Sequence, residues 1–241
     1  MPMNVPQPSL GLFFLMVSFL PIAGWAQKPK PVTPEERVAQ YGAQVQERLA
    51  PLLNAHPISY PLSKMALIGL KDEKMLELYL AGKDDVYHLI KRYPILAASG
   101  QSGPKLREGD CQVPEGFYAI GFLNANSRYH LSLRVNYPNT EDRQHAKAEG
   151  RTNLGGDIMI HGKSASAGCI AIGDPAIEEV FVLAHTVGIK NIQIIISPID
   201  FRTRPMSDVQ TENPKWLKPL YERIKTALEK FKDTKGQNSP K

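Results

Sequence analysis

The chain of 241 residues has few of the residues from which metal and nucleotide sites are built. It contains two cysteines and six histidines, and none of them stand at the spacing of a zinc site. A P-loop and a glycine-rich dinucleotide fingerprint are also absent from the sequence. We therefore expect neither a metal ion nor any other cofactor.

Long basic runs interleaved with aromatic residues are absent too, although the formal net charge is +5. Such runs are the usual sequence mark of nucleic-acid binding, so no nucleic-acid partner is expected. A positive net charge also favours contact with anionic wall polymers or with a membrane surface. The charge alone does not choose between these two surfaces.

Charged side chains are missing from the first 26 residues, where Leu10 to Leu20 is almost unbroken apolar sequence. This run is shorter than the roughly 20 residues that span a bilayer. Gly24 and Ala26 supply the small side chains that precede a cleavage point. These features predict a signal peptide at residues 1–26, with Gln27 as the mature N-terminus and export of the protein. A retained membrane anchor is the alternative.

Two segments have the apolar periodicity of amphipathic helices. The first lies in the N-terminal segment 27–60, where Thr33 to Glu36 combine an N-cap, a first-turn proline and a capping-box glutamate. The second is predicted from Asn213, within a C-terminal segment 201–241 that ends in a disordered tail. Its basic face is either solvated or in contact with wall or membrane polyanions.

Between these helices, the apolar period of residues 61–200 predicts a mainly antiparallel α+β domain, built like a small sandwich or barrel. Strands at 65–70, 75–80 and 86–93 form a β-meander, and later strands end near Phe122, cross Leu131 to Val135 and run from 191 to 197. A helix follows Gly173 and packs across the sheet. The polar residues 136–153 are expected to form a loop over a cleft.

The segment 157–172 sets one histidine and one cysteine among small residues, between two apolar runs. One run delivers His161 and the other follows Cys169, so two short strands are expected to hold the pair. A cysteine attacks as the thiolate, and a neighbouring imidazole that takes its proton is the partner that this chemistry requires. The pattern therefore predicts an acyl-transfer site.

The residues between the histidine and the cysteine are small enough to expose backbone N–H groups to a substrate. Gly162, Ser166 and Gly168 are the predicted backbone support of an oxyanion hole, with the N–H groups of Gly168 and Cys169 as its donors. A papain-like protease is disfavoured, because its cysteine precedes its histidine in the chain.

This segment resembles the L,D-transpeptidase (YkuD-like) catalytic family, the cysteine enzymes of bacterial peptidoglycan. The family signature is His-Gly, a spacer, and then Ser-His-Gly-Cys-hydrophobe-Arg. The first element matches His161 and Gly162, and the second matches Ser166, Gly168 and Cys169. A Gly-Asp pair at 109–110, followed by Pro-x-Gly-aromatic at 114–117, recurs in the same family. The resemblance thus extends over about residues 65–197.

Two positions of the signature differ, since Ala167 replaces its second histidine and Ala171 replaces its arginine. The spacer is also shorter. These differences make the chain most similar to a divergent branch, typified by enterobacterial proteins that detach an outer-membrane lipoprotein from the wall and also lack that arginine.

The resemblance implies an α+β fold of the L,D-transpeptidase type in the periplasm of a Gram-negative bacterium. It implies that Cys169 attacks a peptide carbonyl of a wall stem peptide next to diaminopimelate and forms a thioester, while His161 protonates the leaving amine. Water or an amine then resolves the thioester, so the enzyme is a hydrolase or a transferase. The implied partners are peptidoglycan stem peptides and a wall-linked lipoprotein. A catalytically inactive wall-binding or scaffold protein is the alternative, motivated by the two alanines.

The missing arginine leaves open which cation binds a substrate carboxylate. Arg128, with Tyr129 beside it, and Arg143 are the candidates, and each is otherwise a solvated surface residue. His145 is expected to be an exposed loop residue. The second cysteine, Cys111, either forms a disulfide that would silence Cys169 or, as we favour, is a small, partly buried thiol.

Overall fold

The structure, a computed structural model, describes residues 1, 3, 30–58, 60–210, 212 and 214–231. All but two residues of the predicted signal peptide, and the tail predicted at 233–241, lie outside the described residues. Within the described part of the chain, no helix combines the length and the apolar character that a membrane crossing requires.

Besides three short 3₁₀ helices, the described residues form one curled sheet of eight strands and four α-helices. In chain order they are α1 (Pro34–Asn54), β1 (Lys64–Leu70), β2 (Met75–Ala81), β3 (Tyr87–Pro94), β4 (Gly116–Asn124), β5 (Ser132–Val135), α2 (Thr140–Ala148), β6 (Met159–His161), β7 (Ile170–Ala171), α3 (Asp174–Val187), β8 (Ile192–Ser197) and α4 (Leu217–Leu228).

The strand order across the sheet is β3-β2-β1-β8-β4-β5-β6-β7. Only the β1–β8 and β6–β7 pairs of this sheet are parallel, and its other pairs are antiparallel. The meander of β1, β2 and β3 is present, with Leu70 opposite Met75 at its first turn. The predicted α+β class and mainly antiparallel sheet are therefore confirmed.

Apolar residues cover both faces of the sheet at β1, β2 and β8, where alternate side chains enter two separate cores. In β1, Met65 and Leu67 belong to the larger core, which also contains residues of α1 and α3. Ala66 and Ile68 belong to the smaller core, which contains the apolar face of α4. Burial on both faces explains why β1 and β2 are nearly continuous apolar runs.

The first helix begins where the sequence predicts it. The Thr33 hydroxyl accepts a hydrogen bond from the Glu36 N–H at 3.2 Å, and the Glu36 carboxylate accepts one from the Thr33 N–H at 2.7 Å. This reciprocal capping box satisfies two N–H groups that have no partner inside the helix. Val45 and Leu49 are buried on the inner face of α1.

The C-terminal helix α4 buries the predicted apolar face, including Leu220 and Ile224, against the sheet. Its described lysines are exposed to solvent. Arg223 on the same helix forms an ion pair with Glu141 of α2, and its guanidinium lies 5.7 Å from the centre of the Phe117 ring. The basic face of the helix is thus mainly solvated.

The loop expected at residues 136–153 is wrong, because its middle forms α2. This helix begins with a capping box between Asn139 and Asp142. Ala146 is its one buried residue, so it lacks the apolar stripe from which a helix is predicted. The expectation for His145 is also wrong. This residue is half-buried on α2, and its ring stacks on Trp216 at 4.2 Å.

Candidate active site

His161 and Cys169 lie on the same face of neighbouring chain segments. In the parallel β6–β7 pair, Ile160 is opposite Ile170 and His161 is opposite Ala171. The register therefore sets Cys169, the residue before β7, diagonally from His161, an arrangement that separates Cα atoms by roughly 7–8 Å. Side chains alternate along a strand, so both isoleucines point to the core while the two reactive side chains share the opposite face.

The backbone next to His161 fixes the protonation pattern of its imidazole. Nδ1 lies 2.6 Å from the carbonyl oxygen of Gly162. A carbonyl only accepts hydrogen bonds, so Nδ1 carries the proton, and Nε2 of the neutral ring has the lone pair. Burial lowers the pKa of His161, and the contact with Gly162 opposes this shift. The ring is therefore neutral at pH 7 and able to accept a proton.

Packing around the imidazole explains why a glycine follows it. A Cβ atom on Gly162 would lie 2.5 Å from Oδ1 of Asp174 and 2.7 Å from the carbonyl oxygen of Tyr129. The Gly162 N–H donates to the carbonyl of Leu131 at 3.2 Å. Gly162 thus supports His161 through its carbonyl, and its own N–H is engaged in the sheet.

The Cys169 thiol is turned towards the backbone just before β6. Its Sγ donates a hydrogen bond to the carbonyl of Asp157 at 3.6 Å. Burial raises the pKa of the thiol, and the Asp157 carboxylate acts in the same direction, whereas the Met159 backbone and Lys105 act against it. Among the described contacts, no hydrogen bond joins this sulfur to His161. The cysteine therefore needs a base to become a thiolate.

Both N–H groups predicted to form the oxyanion hole have partners in this structure. The Gly168 N–H donates to the hydroxyl of Ser99 at 2.5 Å. The Cys169 N–H donates to the hydroxyl of Ser166 at 2.9 Å, and that hydroxyl donates back to the Cys169 carbonyl at 2.6 Å. The role of these two N–H groups as oxyanion donors stays a prediction. Sequence reasoning missed Ser99, which lies far from the motif in the chain.

A buried carboxylate fastens the loop that carries Ser99. Glu115 accepts hydrogen bonds from Nζ of Lys71 at 2.8 Å, from the Gly103 N–H at 2.9 Å and from the Tyr221 hydroxyl at 2.5 Å. These contacts join the loop to β1 and α4. Removal of one partner from such a buried, charged network leaves the other unpaired, so the network specifies one loop position.

The second cysteine is close to the motif but differs from the prediction. Cys111 is exposed, not partly buried, and it has a φ of 53°. The next carbonyl, that of Gln112, would lie 3.3 Å from a Cβ atom on Gly168, whose φ is +99°. Both cysteines are free thiols.

The three predicted substrate-binding residues occupy different places. Arg128 is exposed, and its carbonyl accepts a hydrogen bond from Nζ of Lys163 at 2.9 Å. The Tyr129 ring packs on the imidazole of His161 at 4.5 Å. Arg143 is exposed on α2 and lines a hollow of about 690 Å³ with Arg151. Of the three, Tyr129 is the one whose side chain contacts a predicted catalytic residue.

A further arginine, which the sequence reasoning missed, lies on the face that carries Cys169 and His161. Arg134 of β5 is opposite Met159 of β6. Its Nη2 is 3.1 Å from Oδ1 of Asp157, and its guanidinium lies 5.6 Å from the centre of the Phe122 ring. By contrast, Ala171 is fully buried.

No group of three or more histidine, cysteine, aspartate or glutamate side chains that could hold a metal ion occurs among the described residues. The groups that the candidate site does contain are a thiol, an imidazole and backbone or hydroxyl donors. Such a set is suited to acyl transfer through a covalent intermediate.

Comparison with known proteins identifies a family of enzymes for this chain. Residues 63–194 match the family model described as YkuD, the L,D-transpeptidase catalytic domain. The chain is 33% identical over 203 residues to YafK of Escherichia coli, an L,D-transpeptidase by provisional assignment, and the match covers 77% of this chain and 78% of YafK.

Two solved structures are also similar to this chain. The helical cell shape determining protein Pgp2 from Campylobacter jejuni is 25% identical with a TM-score of 0.45, over 62% of this chain and 54% of Pgp2. L,D-transpeptidase 1 of Mycobacterium tuberculosis is 14% identical with a TM-score of 0.32, over 55% of this chain and 61% of that protein. The chain thus spans about half the length of Pgp2.

Proposed function

The chain belongs to the L,D-transpeptidase catalytic-domain family, and we propose that it is an exported enzyme that modifies peptidoglycan through a thioester on Cys169. The observation that carries this proposal is the diagonal placement of Cys169 and His161 on one face, with Nδ1 of the imidazole bound to Gly162 at 2.6 Å. This tautomer leaves Nε2 as the proton acceptor. Stem peptides are the proposed substrates and the periplasm the proposed location.

The first half-reaction begins when the thiol leaves the Asp157 carbonyl and gives its proton to Nε2 of His161. The Cys169 sulfur then attacks the scissile carbonyl, and the carbon–nitrogen bond breaks. The imidazolium returns the proton to the leaving amine, so the half-reaction ends with a thioester and a neutral imidazole. Burial of the imidazole favours this return, because it lowers the pKa of His161.

The oxyanion of this reaction is proposed to bind the N–H groups of Gly168 and Cys169. These groups now donate to Ser99 and Ser166, so both hydroxyls must give up these hydrogen bonds when the oxyanion forms. One such donor is worth roughly 10²–10³ in rate in a preorganised site. The exchange of neutral hydroxyl acceptors for an anion is favourable, since charged acceptors form the stronger bonds.

The second half-reaction resolves the thioester, and we propose that water does so more readily than an amine. Ala171 replaces the arginine of the family signature and is buried, so the strand that follows Cys169 lacks the cation that this position gives the family. Water has the easier approach to such a site. The proposed reaction is hydrolysis of a wall peptide bond or of the bond between a lipoprotein and the wall.

The test is incubation of purified residues 27–241 with defined muropeptides and with lipoprotein-linked sacculi, followed by mass spectrometry of the products. We expect shortened peptides or free lipoprotein, and a thioester adduct on Cys169 in acid-quenched samples. Dimers with diaminopimelate-to-diaminopimelate links, without released products, would contradict hydrolysis and keep the thioester. Intact substrates and no adduct would favour the alternative, an inactive wall-binding protein.

A further inference from the structure

The pairing of β5 with β6 sets a row of side chains on the face of the reactive residues. Ser132 is opposite His161, and Arg134 is opposite Met159. On the opposite face, Leu133 is fully buried in the larger core. Because side chains alternate along a strand, Arg134 projects from the same face as His161 and Cys169.

Arg134 and Met159 form one of the closer cross-strand pairs of this sheet. The Gly162 N–H donates to Leu131, and the Val135 N–H donates to Ile158. Hydrogen-bonded and non-hydrogen-bonded pairs alternate in an antiparallel ladder. Val135 and Ile158 form a hydrogen-bonded pair, so the neighbouring pair of Arg134 and Met159 is non-hydrogen-bonded. Side chains are nearest in such pairs, and the aliphatic part of Arg134 therefore packs beside Met159.

The present partner of Arg134 is an exposed carboxylate next to the thiol. Asp157 binds Nη2 of Arg134 with its side chain, while its backbone carbonyl accepts the hydrogen bond from Cys169. The side chains of Asp157 and Arg134 are 81% and 38% exposed. An ion pair this accessible to water is weak, so another carboxylate can replace that of Asp157 without a buried charge being uncovered.

The spacing of the strands sets which part of a substrate can reach this arginine. Arg134 lies two strands from Cys169, and neighbouring strands are about 4.8 Å apart, so the Cα atoms are separated by roughly 10 Å. The guanidinium is bound to the Asp157 side chain, while the Cys169 sulfur faces the carbonyl of the same residue, so the guanidinium lies beside the reacting sulfur. It is suited to a carboxylate on the residue that flanks the scissile bond, which it can bind with two parallel N–H donors.

We propose that Arg134 is a specificity-determining residue, which binds a free carboxylate of the peptide substrate beside the scissile bond. The Asp157 carboxylate forms an ion pair with the guanidinium until the substrate carboxylate replaces it. The arginine thus sets which peptides are selected, while Cys169 and His161 carry the chemistry. This inference rests on the proposed peptide-directed function.

The test compares two substrates of the same length, a diaminopimelate-containing stem tetrapeptide and its analogue with the free side-chain carboxyl of diaminopimelate amidated. For the parent protein, we expect kcat/KM to favour the acid by roughly 10- to 100-fold, the range of a charge-assisted hydrogen bond. Arg134→Ala should lose this preference through a higher KM for the acid, with kcat and the kinetics of the amide little changed. Arg134→Lys should restore part of the preference.

The matched control is Arg223→Ala, which removes another exposed arginine that has one carboxylate partner and one aromatic ring beneath it. It should keep the preference of the parent. Cys169 should still be alkylated by iodoacetamide in Arg134→Ala, but more slowly than in the parent, because the Asp157 carboxylate loses its partner. An unchanged midpoint of urea denaturation shows that the variant is folded. A full preference for the acid in an alkylation-competent Arg134→Ala protein would overturn the inference and leave the proposed function standing.

Binding of both peptides to Cys169→Ser protein distinguishes a failure of the proposed function from a failure of the assignment of Arg134. If the parent turns over neither peptide, but Cys169→Ser protein prefers the acid and Cys169→Ser/Arg134→Ala protein does not, the role of Arg134 is supported and the proposed function is overturned. If neither turnover nor binding distinguishes acid from amide in any variant, the assignment of Arg134 is wrong.

Discussion

Nδ1 of His161 donates its proton to the carbonyl of the next residue, Gly162, at 2.6 Å. The orientation of the imidazole is therefore set by the backbone that follows it, without a carboxylate partner. In a catalytic histidine, the group bound to one nitrogen determines what the other nitrogen can do. Here Nε2 is the nitrogen that the proposed mechanism uses as the proton acceptor.

Because the imidazole orientation depends on the position of the Gly162 backbone, Gly162→Ala is expected to lower both stability and activity. The added Cβ atom would lie 2.5 Å from the Asp174 carboxylate and 2.7 Å from the Tyr129 carbonyl, so the backbone must shift. We expect a loss of about 1–3 kcal/mol in the free energy of unfolding, measured by urea denaturation. Activity should fall further than stability, because the Nδ1 contact moves with the backbone.

Gly42 of α1 provides the control for this prediction. A Cβ atom there meets nothing within 4 Å, so Gly42→Ala should stabilise the protein by about 0.5–1 kcal/mol through helix propensity. Equal stability and activity in Gly162→Ala and the parent would show that the close approach at Gly162 is not a constraint.

The two cysteines should differ in function. Cys169→Ser is expected to abolish activity on wall substrates while the protein remains folded, because the hydroxyl is a far weaker nucleophile than a thiolate. Cys111→Ser should keep most of the activity, since its exposed thiol contacts only the Gly109 carbonyl at 3.7 Å. Product analysis by mass spectrometry measures both variants, and full activity in Cys169→Ser would contradict the nucleophile assignment.

Loss of the imidazole should slow modification of the thiol. Burial raises the pKa of Cys169, so the thiol needs a proton acceptor near neutral pH. His161→Ala is therefore expected to lower the rate of Cys169 alkylation by iodoacetamide at pH 7, with the labelled site identified by peptide mapping. His145→Ala should not lower it, because that ring stacks on Trp216 of the C-terminal segment. Equal rates in His161→Ala and the parent would show that the pair does not work together.

The pH dependence of the reaction follows from the same imidazole. Burial lowers the pKa of His161 below the ordinary histidine value of about 6.5. The base remains neutral as the pH falls from 8 to 6.5 and is lost only below its lowered pKa. The acidic limb of a kcat/KM profile should therefore lie below pH 6.5, and a limb at or above pH 7 would contradict this environment for His161.

Local patterns predicted most strands, including the two short strands beside His161 and Cys169, because each depends on residues close together in sequence. The alternation and apolar runs of β1 and β2 and the capping box at Thr33 are of this kind. The helix α2 was missed because it buries a single residue, Ala146, and is held by caps and by contacts with α4. A polar helix of this kind leaves no periodic signal to read.

The missed site residues depend on strand pairing and on loops distant in sequence. Ser99 reaches the Gly168 N–H across a separation of 69 residues. The strand that contains Arg134 was predicted from its buried apolar residues. That the Arg134 side chain lies on the same face as His161 follows only once β5 is known to pair with β6. The Gly168 and Cys169 N–H groups were predicted as oxyanion donors from small residues alone, and a hydroxyl from another loop cannot be foreseen by such reasoning.

A final prediction concerns Asp157, whose carboxylate binds Arg134 and raises the pKa of Cys169. Asp157→Asn removes the negative charge, so the thiol pKa should fall and alkylation of Cys169 at pH 7 should become faster. The φ of Asp157 is 55°, a left-handed conformation that asparagine also tolerates, so the backbone and its carbonyl contact with the thiol should persist.

Asp85 is the matched control, because it is an exposed aspartate with a φ of 57° whose carboxylate pairs with Lys64 outside the site. Asp85→Asn should leave the alkylation rate of Cys169 unchanged. In Asp157→Asn, the guanidinium of Arg134 also loses its resident carboxylate, so the KM for a carboxylate-bearing peptide should fall. Slower alkylation together with a higher KM would show that Asp157 serves the bound substrate and does not merely occupy its place.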